Sequence, residues 1–446
     1  MAMALRTHVL MVAIGALSLG QCAGAQRCSI VSLDLRVPAD PGDRVGTSLA
    51  IAHGRLAIGA RRGGPSNGGA VYLFDLGALT APIELVHPTG QAPDRFGDAV
   101  ALDATRVIVG APRDAAPFIG NGSALVFNAS DGAFVMMLNA PTPGLDELFG
   151  SSVAITGGSI LVGAPYDIDY GLQGSAYLFD SQGRLQRQLH SDIQDWDGFG
   201  TAVAMDDRYA IVGAPFVDID GHSAGAAYVF DATSGAYLRR LSLSVPHSGS
   251  QLGTSLAFDG TRLVVGAPFD APRGVETGAA HVFDVATGDW LAALAPPNGI
   301  AYAQFGQSVA MADGWIAVGA PDAGAGTAGA VYLFDDTTFE LLAMIDVPRM
   351  TRFGAFGWSV ALGGDRLAAG APFTDTGAAF LYAIQCDRPC PADLTGDAIV
   401  DAADLALLLG AWGSCGKCLA DLVNDGVVDA GDLAIVLGAW GPCGTG

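Results

Sequence analysis

Lysine is almost missing from this chain of 446 residues. Lys417 is the only one, and 22 basic residues stand against 45 acidic ones, for a formal charge of −23. A surface of that average sign repels nucleic acid and anionic lipid, so neither is expected as a partner, and it tolerates divalent cations. Charged residues of both signs amount to only 15%, so the charge sits on a chain that is otherwise apolar or small. Cysteine is absent between Cys28 and Cys386. Long apolar runs are absent too. The run near the N-terminus, Val9 to Leu19, is too short to span a bilayer. No helical hydrophobic period appears before residue 400, which excludes a helical solenoid.

The N-terminus has the order of an export signal. Arg6 precedes the apolar run, and Ala23-Gly24-Ala25 supplies small residues at a cleavage site, so residues 1–25 are expected to be removed and the protein to be extracellular or at the cell surface. Gln21 before Cys22, where a small residue would be expected, argues against a lipid anchor. Cleavage leaves Cys28, Cys386, Cys390, Cys415, Cys418 and Cys443, an even number in an exported chain, which suggests three disulfides. Cys415-Gly416-Lys417-Cys418 can also be read as a redox or zinc pair, but no second pair accompanies it.

Glycine is abundant, at 62 positions, and much of it is periodic. A first glycine, usually after Phe, falls at Gly46, Gly97, Gly150, Gly200, Gly253, Gly306 and Gly357, so the copies are nearly equal in length. A second, opening Gly-Ala-(Pro), follows each at one constant offset: Gly59, Gly110, Gly163, Gly213, Gly266, Gly319 and Gly370. Only the first copy lacks the proline, having Arg61 there. Each copy reads as four short strands. In the third they are 151–155, 159–162, 175–179 and 184–189, β-branched and aromatic runs divided by Gly, Asp and Pro. The small residues of each first strand suit a strand crowded at a central axis, and the second glycine suits a close backbone approach. Phe before the first glycine is expected to pack between blades. Four-stranded units repeated radially make an all-β, seven-bladed β-propeller, expected over residues 26–386.

The seventh copy stops at its third strand. Ser32–Val37 with Pro38 matches the fourth strand of the sixth copy, Leu342–Val347 with Pro348, so the N-terminal segment is expected to complete blade seven. Cys28 and Cys386 then fall at the missing turn. A disulfide between them would close almost the whole propeller into one loop, a stabilisation of roughly 4–5 kcal/mol. The alternative is Cys386 bonded to Cys390.

Phe-Gly-x-Ser-Val-Ala, Val-Gly-Ala-Pro and Ala-Tyr-Leu-Phe-Asp, together and seven times over, resemble the FG-GAP repeat of integrin α-chain propellers and their bacterial relatives. Such propellers hold calcium in acidic loops between first and second strands. Here the short, constant glycine spacing leaves only a tight turn, so those sites are not expected. The longer loops follow Gly-Ala-Pro and share one face, a natural binding surface. Two of them carry Asp-x-Asp, Asp167/Asp169 and Asp218/Asp220, read as a candidate ligand face or as solvated acids.

From residue 387 the texture changes. Asp393, Thr395, Asp397, Ile399, Asp401 and Asp404 occupy the first, third, fifth, seventh, ninth and twelfth positions of a loop, with Ile399 offering its carbonyl. A second copy has Asp421, Asp425, Val427, Asp429 and Asp432. Oxygens so spaced surround a hard cation, so calcium is the expected cofactor. Helices 405–412 and 433–440 are expected to follow, burying Leu408, Leu409 and Trp412, and Val436, Leu437 and Trp440. The duplicated loop and helix, flanked by cysteines, resemble a dockerin of the Gly-Cys type, which makes 387–446 a small α-helical module of paired calcium loops. The resemblance implies a cohesin-like or cell-envelope partner. Ala398 at the sixth position and Val423 at the third depart from the pattern, the latter weakening the second site. Within this resemblance Cys390–Cys415 and Cys418–Cys443 are favoured among three connectivities.

Catalytic signatures are missing: no Gly-x-Ser-x-Gly, His-Glu-x-x-His or phosphate loop occurs. The histidines share no spacing and read as surface residues. The expectation is a non-catalytic binding or adhesion protein, whose propeller recognises a protein or glycan. The alternatives are an enzyme or accessory part of an extracellular polysaccharide-degrading complex, and a structural envelope protein.

Overall fold

The computed structural model describes residues 28–442 apart from 65, 80, 91, 116–119, 143–145, 168–173, 193–196, 220–221, 246, 272–276, 298, 324–327, 348–353, 387–391, 396–398, 415–419 and 424–426. They form two compact units, Cys28–Gln385 and the residues from Cys386 onward.

The first unit is a ring of seven four-stranded antiparallel sheets. Blade two is representative: Ala99–Leu102, Arg106–Ala111, Ser123–Asn128 and Phe134–Leu138, in that order from the axis outward. Consecutive first strands pack on one another around the axis, and the last, Val360–Gly363, packs on the first, Val45–Ala52. The glycines explain why the ring closes so tightly. Each first glycine from Gly97 on donates its N–H to the second glycine of its own blade at 3.0 Å, as Gly97 does to Gly110. A Cβ built on any second glycine would overlap the first-glycine carbonyl of the next blade: Gly110 against Gly150, and finally Gly370 against Gly46. In five blades a serine shortly after the first glycine caps that neighbouring carbonyl, for example Ser152 to Gly200 at 2.7 Å.

Phe96, Phe149, Phe199, Phe305 and Phe356 are fully buried. Each packs edge-on against aromatic residues of its own third strand, as Phe149 does on Phe179 at 6.1 Å. The same core takes in the previous blade: Phe96 lies with Val71, Leu73 and Leu85 of blade one. The expected inter-blade packing is therefore present. Burial of one such Phe contributes about 2–3 kcal/mol.

The N-terminal strand does complete blade seven, but it is Cys28–Leu33 rather than 32–37. It lies outside Ala378–Cys386, and the Ser29 hydroxyl donates to the Gln385 carbonyl at 3.2 Å. That third strand is longer than its counterpart in blade six, Ala330–Asp335. No turn has to follow it, so it extends, and its partner shifts toward the start of the chain. Leu33, Leu35, Val37 and Ala39 still pack on the core between blades seven and one. The side chains of all six cysteines lie outside the described residues.

In the second unit α1 is Ala402–Gly410 and α2 is Ala430–Gly438, each starting earlier than expected. The reason is capping. Asp401 accepts the Ala403 N–H at 2.7 Å and Asp404 accepts the Asp401 N–H at 2.8 Å; Asp429 and Asp432 repeat this. These capping boxes fix each helix start inside the loop pattern. The core is made of equivalent residues of the two copies: Ala392 with Ala420, Val400 with Val428, Leu408 with Val436. Ribbons cross between the copies: Val400 pairs with Gly441, and Val428 with Gly413. Leu409, Trp412, Leu437 and Trp440 are not buried as expected; each is about half exposed, because helices this short turn only one narrow stripe inward. Among the described residues no helix is long and apolar enough to cross a membrane.

Candidate functional site

In every blade the residue before the Phe-type position has a left-handed backbone, although in six blades it is not glycine: Arg44, Arg95, Leu148, Gln251, Gln304 and Ala355, with Gly198 the exception. This turn places the preceding residue under the Gly-Ala-Pro loop. There its carbonyl accepts an N–H from the loop just beyond the second glycine, as Asp43 does from Arg62 at 3.1 Å and Asp197 from Phe216 at 2.9 Å. The same bond recurs around the ring and presents Arg62, Arg113, Tyr166, Phe216, Phe269, Asp322 and Phe373 on one face. The scaffold is constant and the presented side chain is not.

The charge on this face is uneven. Arg61 bonds Asp98 at 3.3 Å, and Arg95 approaches the same carboxylate at 3.8 Å. Burial raises the Asp98 carboxyl, opposed by Arg61 and Arg95. Arg44 lies over the Phe373 ring at 4.7 Å, and Phe373 meets Trp358 edge-on at 4.9 Å. Burial first, then Arg62 and Arg61, hold the Arg44 guanidinium below its ordinary value. Beside it is a pocket of about 820 Å³ lined by Arg44, Arg62, Phe373 and the chain from Thr374 to Ala378.

Buried acids support the loops. Asp114, Asp167 and Asp270 hold one equivalent position, shortly after the second glycine of their blades. Asp167 is therefore not a solvated loop acid: it is buried and takes the Tyr177 hydroxyl. Asp218 is exposed in a short ribbon, Asp218–Ile219 with His222–Ser223, one position out of step with Asp167. Asp169 and Asp220 lie outside the described residues, so the two Asp-x-Asp pairs do not form one equivalent set in the described structure.

His87 and His281 are not surface residues either. His87 Nε2 lies 3.1 Å from Asp114, which also takes the Ser123 hydroxyl at 2.7 Å. The carboxylate stands between hydroxyl and imidazole, so the order needed for a serine nucleophile is not assembled. Trp290 donates to His281 Nδ1 at 3.3 Å, which makes His281 Nε2 the donor to Asp270 at 2.8 Å. His247 Nδ1 bonds the other oxygen of Asp270. Burial raises the Asp270 carboxyl, but the bonds from His281 and His247 outweigh it and hold it low. Among the described residues no histidine opposes the burial of Asp197. Burial pushes it up to about 6, against the weaker pull of bonds from Ser191 and the Phe199 N–H. Sequence reasoning missed these positions because the register of the loop against the preceding turn is set only in the ring.

In the second unit, the first loop draws oxygens together. Thr395 Oγ1 lies 3.1 Å from both Asp393 Oδ1 and Asp404 Oδ1. Burial raises Asp404, but backbone N–H groups of Asp401 and Thr395 hold it low, so it stays ionised. Side-chain oxygens of the first, third and twelfth positions are thus brought together, the donor type that a hard cation takes. In the second loop Val423 offers no side-chain oxygen at the third position, while Asp432 Oδ1 takes the N–H groups of Leu422 and Val423, at 2.6 and 3.0 Å, as Asp404 Oδ1 takes that of Thr395 at 2.9 Å. Ile399 and Val427 lie at the seventh position with their backbones in the ribbons. Asp397 and Asp425, the fifth position of each loop, lie outside the described residues, and among the described residues no three His, Cys, Asp or Glu side chains form a metal-binding group.

No curated protein matches the chain. A family model described as FG-GAP repeat matches residues 84–127, 142–179, 185–230, 239–283 and 291–334. These segments begin near a fourth strand and end at the third strand of the next blade, so each spans the inter-blade contact made by the paired glycines. The chain therefore carries FG-GAP repeats, assembled as a seven-bladed β-propeller.

Proposed function

We propose that this is an exported, non-catalytic recognition protein, which binds a protein or glycan through the loop face of its propeller. The observation that carries the reading is the contrast on that face. One backbone bond is repeated in all seven blades, while the side chain it presents changes from Arg to Tyr, Phe and Asp. A rigid frame with varied side chains is what recognition requires.

The C-terminal unit would attach the protein, with calcium in its first loop, to a cohesin-like or envelope partner. Supporting this, Leu409 and Trp412 stay half exposed, and so do their equivalents in the second copy, Leu437 and Trp440. Asp393, Thr395, Asp397, the Ile399 carbonyl, Asp401 and Asp404 would hold the ion, which would cross-link loop and helix start.

Arrays of glycans and proteins, probed with the full chain and run beside hydrolysis assays on the same polymers, test the reading. Binding lost in Tyr166→Ala or Phe216→Ala, but kept in Ser130→Ala at the opposite end of a blade, is expected. Turnover that loop-face substitutions abolish would make the protein an enzyme and overturn it.

A further inference from the structure

The average charge of −23 conceals one basic region. Arg44, Arg61, Arg62, Arg95 and Arg113 all come from blades one and two, and all from three recurring positions of the loop face. The corresponding residues of blades three to six are neutral or acidic: Leu148 and Gln251 for Arg44, proline for Arg61, Tyr166 and Asp322 for Arg62. The arginines depress one another: Arg113, Arg61 and Arg62 act on Arg95, behind the larger effects of burial and Asp98. Asp98 pairs with Arg61 and Arg95. Among the described residues Arg44, Arg62 and Arg113 form no ion pair.

We infer that this region is a binding site for an anionic polysaccharide, its carboxylate or sulfate held by Arg44 and Arg62 at the pocket, with Arg113 adding positive charge to the same region, and its ring laid against Phe373. The inference rests on the reading of the loop face as the recognition surface. Three arguments support it. Guanidinium groups pair with carboxylate and sulfate oxygens through two parallel N–H donors, and clustered like charges gain most from a shared anion. The pocket of about 820 Å³ is large enough for sugar residues, and Phe373 and Phe380 give it an aromatic wall. The backbone at the pocket is already used: Gly42 donates to Asp375, Val45 donates to Thr376, and Val45 bridges Gly377. A peptide would need free backbone donors and acceptors there, whereas a charged sugar needs guanidinium and a flat apolar face.

The test uses the full chain over immobilised polygalacturonate, dextran sulfate, neutral dextran and poly-glutamate. Binding to polygalacturonate or dextran sulfate is expected, the stronger of the two naming the anion, with neutral dextran silent. Arg62→Gln/Arg113→Gln should weaken it at least tenfold, and Arg44→Gln likewise, with melting temperature as the check on folding. Poly-glutamate binding as tightly as the polysaccharides would overturn the sugar assignment, and unchanged binding in the arginine variants would overturn the site. A neutral glycan lost with Tyr166→Ala but kept in the arginine variants would sink this inference and leave loop-face recognition standing. Failure to bind any polymer or array ligand would end both.

Discussion

The hydroxyl of Ser359 in the last blade donates to the carbonyl of Gly46 in the first, at 2.8 Å across 313 residues of chain. It repeats the bond that Ser48 makes to Gly97 at 2.9 Å one blade on. The closing interface is thus built like an internal one, and the ring ends without a distinct seam at the axis.

Gly110→Ala should be far more damaging than Gly54→Ala. The new methyl at 110 meets the Gly150 carbonyl, which is backbone and cannot step aside. At Gly54 nothing lies within 4 Å, and only the φ of +72° resists the substitution. Urea titration or calorimetric melting should show a loss of several kcal/mol for the first, and about 1–2 kcal/mol for the second. Equal losses would mean that the close approach does not matter.

Removing residues up to Leu33 should expose the Ala378–Cys386 edge. An unpaired edge is a template for other chains. Light scattering should show association of the truncated protein, and its melting point should fall. Peptide mapping without reductant should find Cys28 joined to Cys386; a Cys386–Cys390 loop would refute covalent closure.

Asp197→Asn should stabilise the propeller at neutral pH. The folded carboxyl titrates near 6, above its ordinary value of 3.8, so the folded state holds the extra proton between these values. Stability from this group is therefore full below about pH 4 and declines as pH rises through about 6. The asparagine keeps an acceptor for the Phe199 N–H, which Asp197 takes at 2.9 Å, and removes the buried charge. A gain of about 1–3 kcal/mol at about pH 7.5, shrinking toward about pH 4, is expected from melting curves. A loss at neutral pH would show that the charge is used.

Calorimetric titration of the full, oxidised chain with calcium should reveal a tighter and a weaker site. Thr395→Val should weaken the tighter one, because its hydroxyl stands between Asp393 and Asp404. Val423→Thr should tighten the weaker one. No heat of binding in the intact chain would refute the calcium reading of both loops.

The repeat, the blade number and the exchange of the N-terminal strand were all legible in the chain, because each rests on spacing. A fixed, short distance between paired glycines forces a tight hairpin, and a copy with three strands needs a fourth. The duplicated loops were legible for the same reason. Spacing does not say which neighbour a backbone meets. That Gly110 faces Gly150 depends on the curvature that brings one blade against the next, and that Asp167 takes the Tyr177 hydroxyl and His281 lies between Trp290 and Asp270 depends on how each loop folds back over the outer strands of its own blade. The exposed Trp412 and Trp440 were misjudged because hydrophobicity alone does not choose which side of a short helix turns inward; the pseudo-symmetric pairing of Leu408 with Val436 made that choice. The arginines of the loop face are scattered between Arg44 and Arg113 in the chain, and only the closing of the ring sets two of them, Arg44 and Arg62, in one pocket with Phe373.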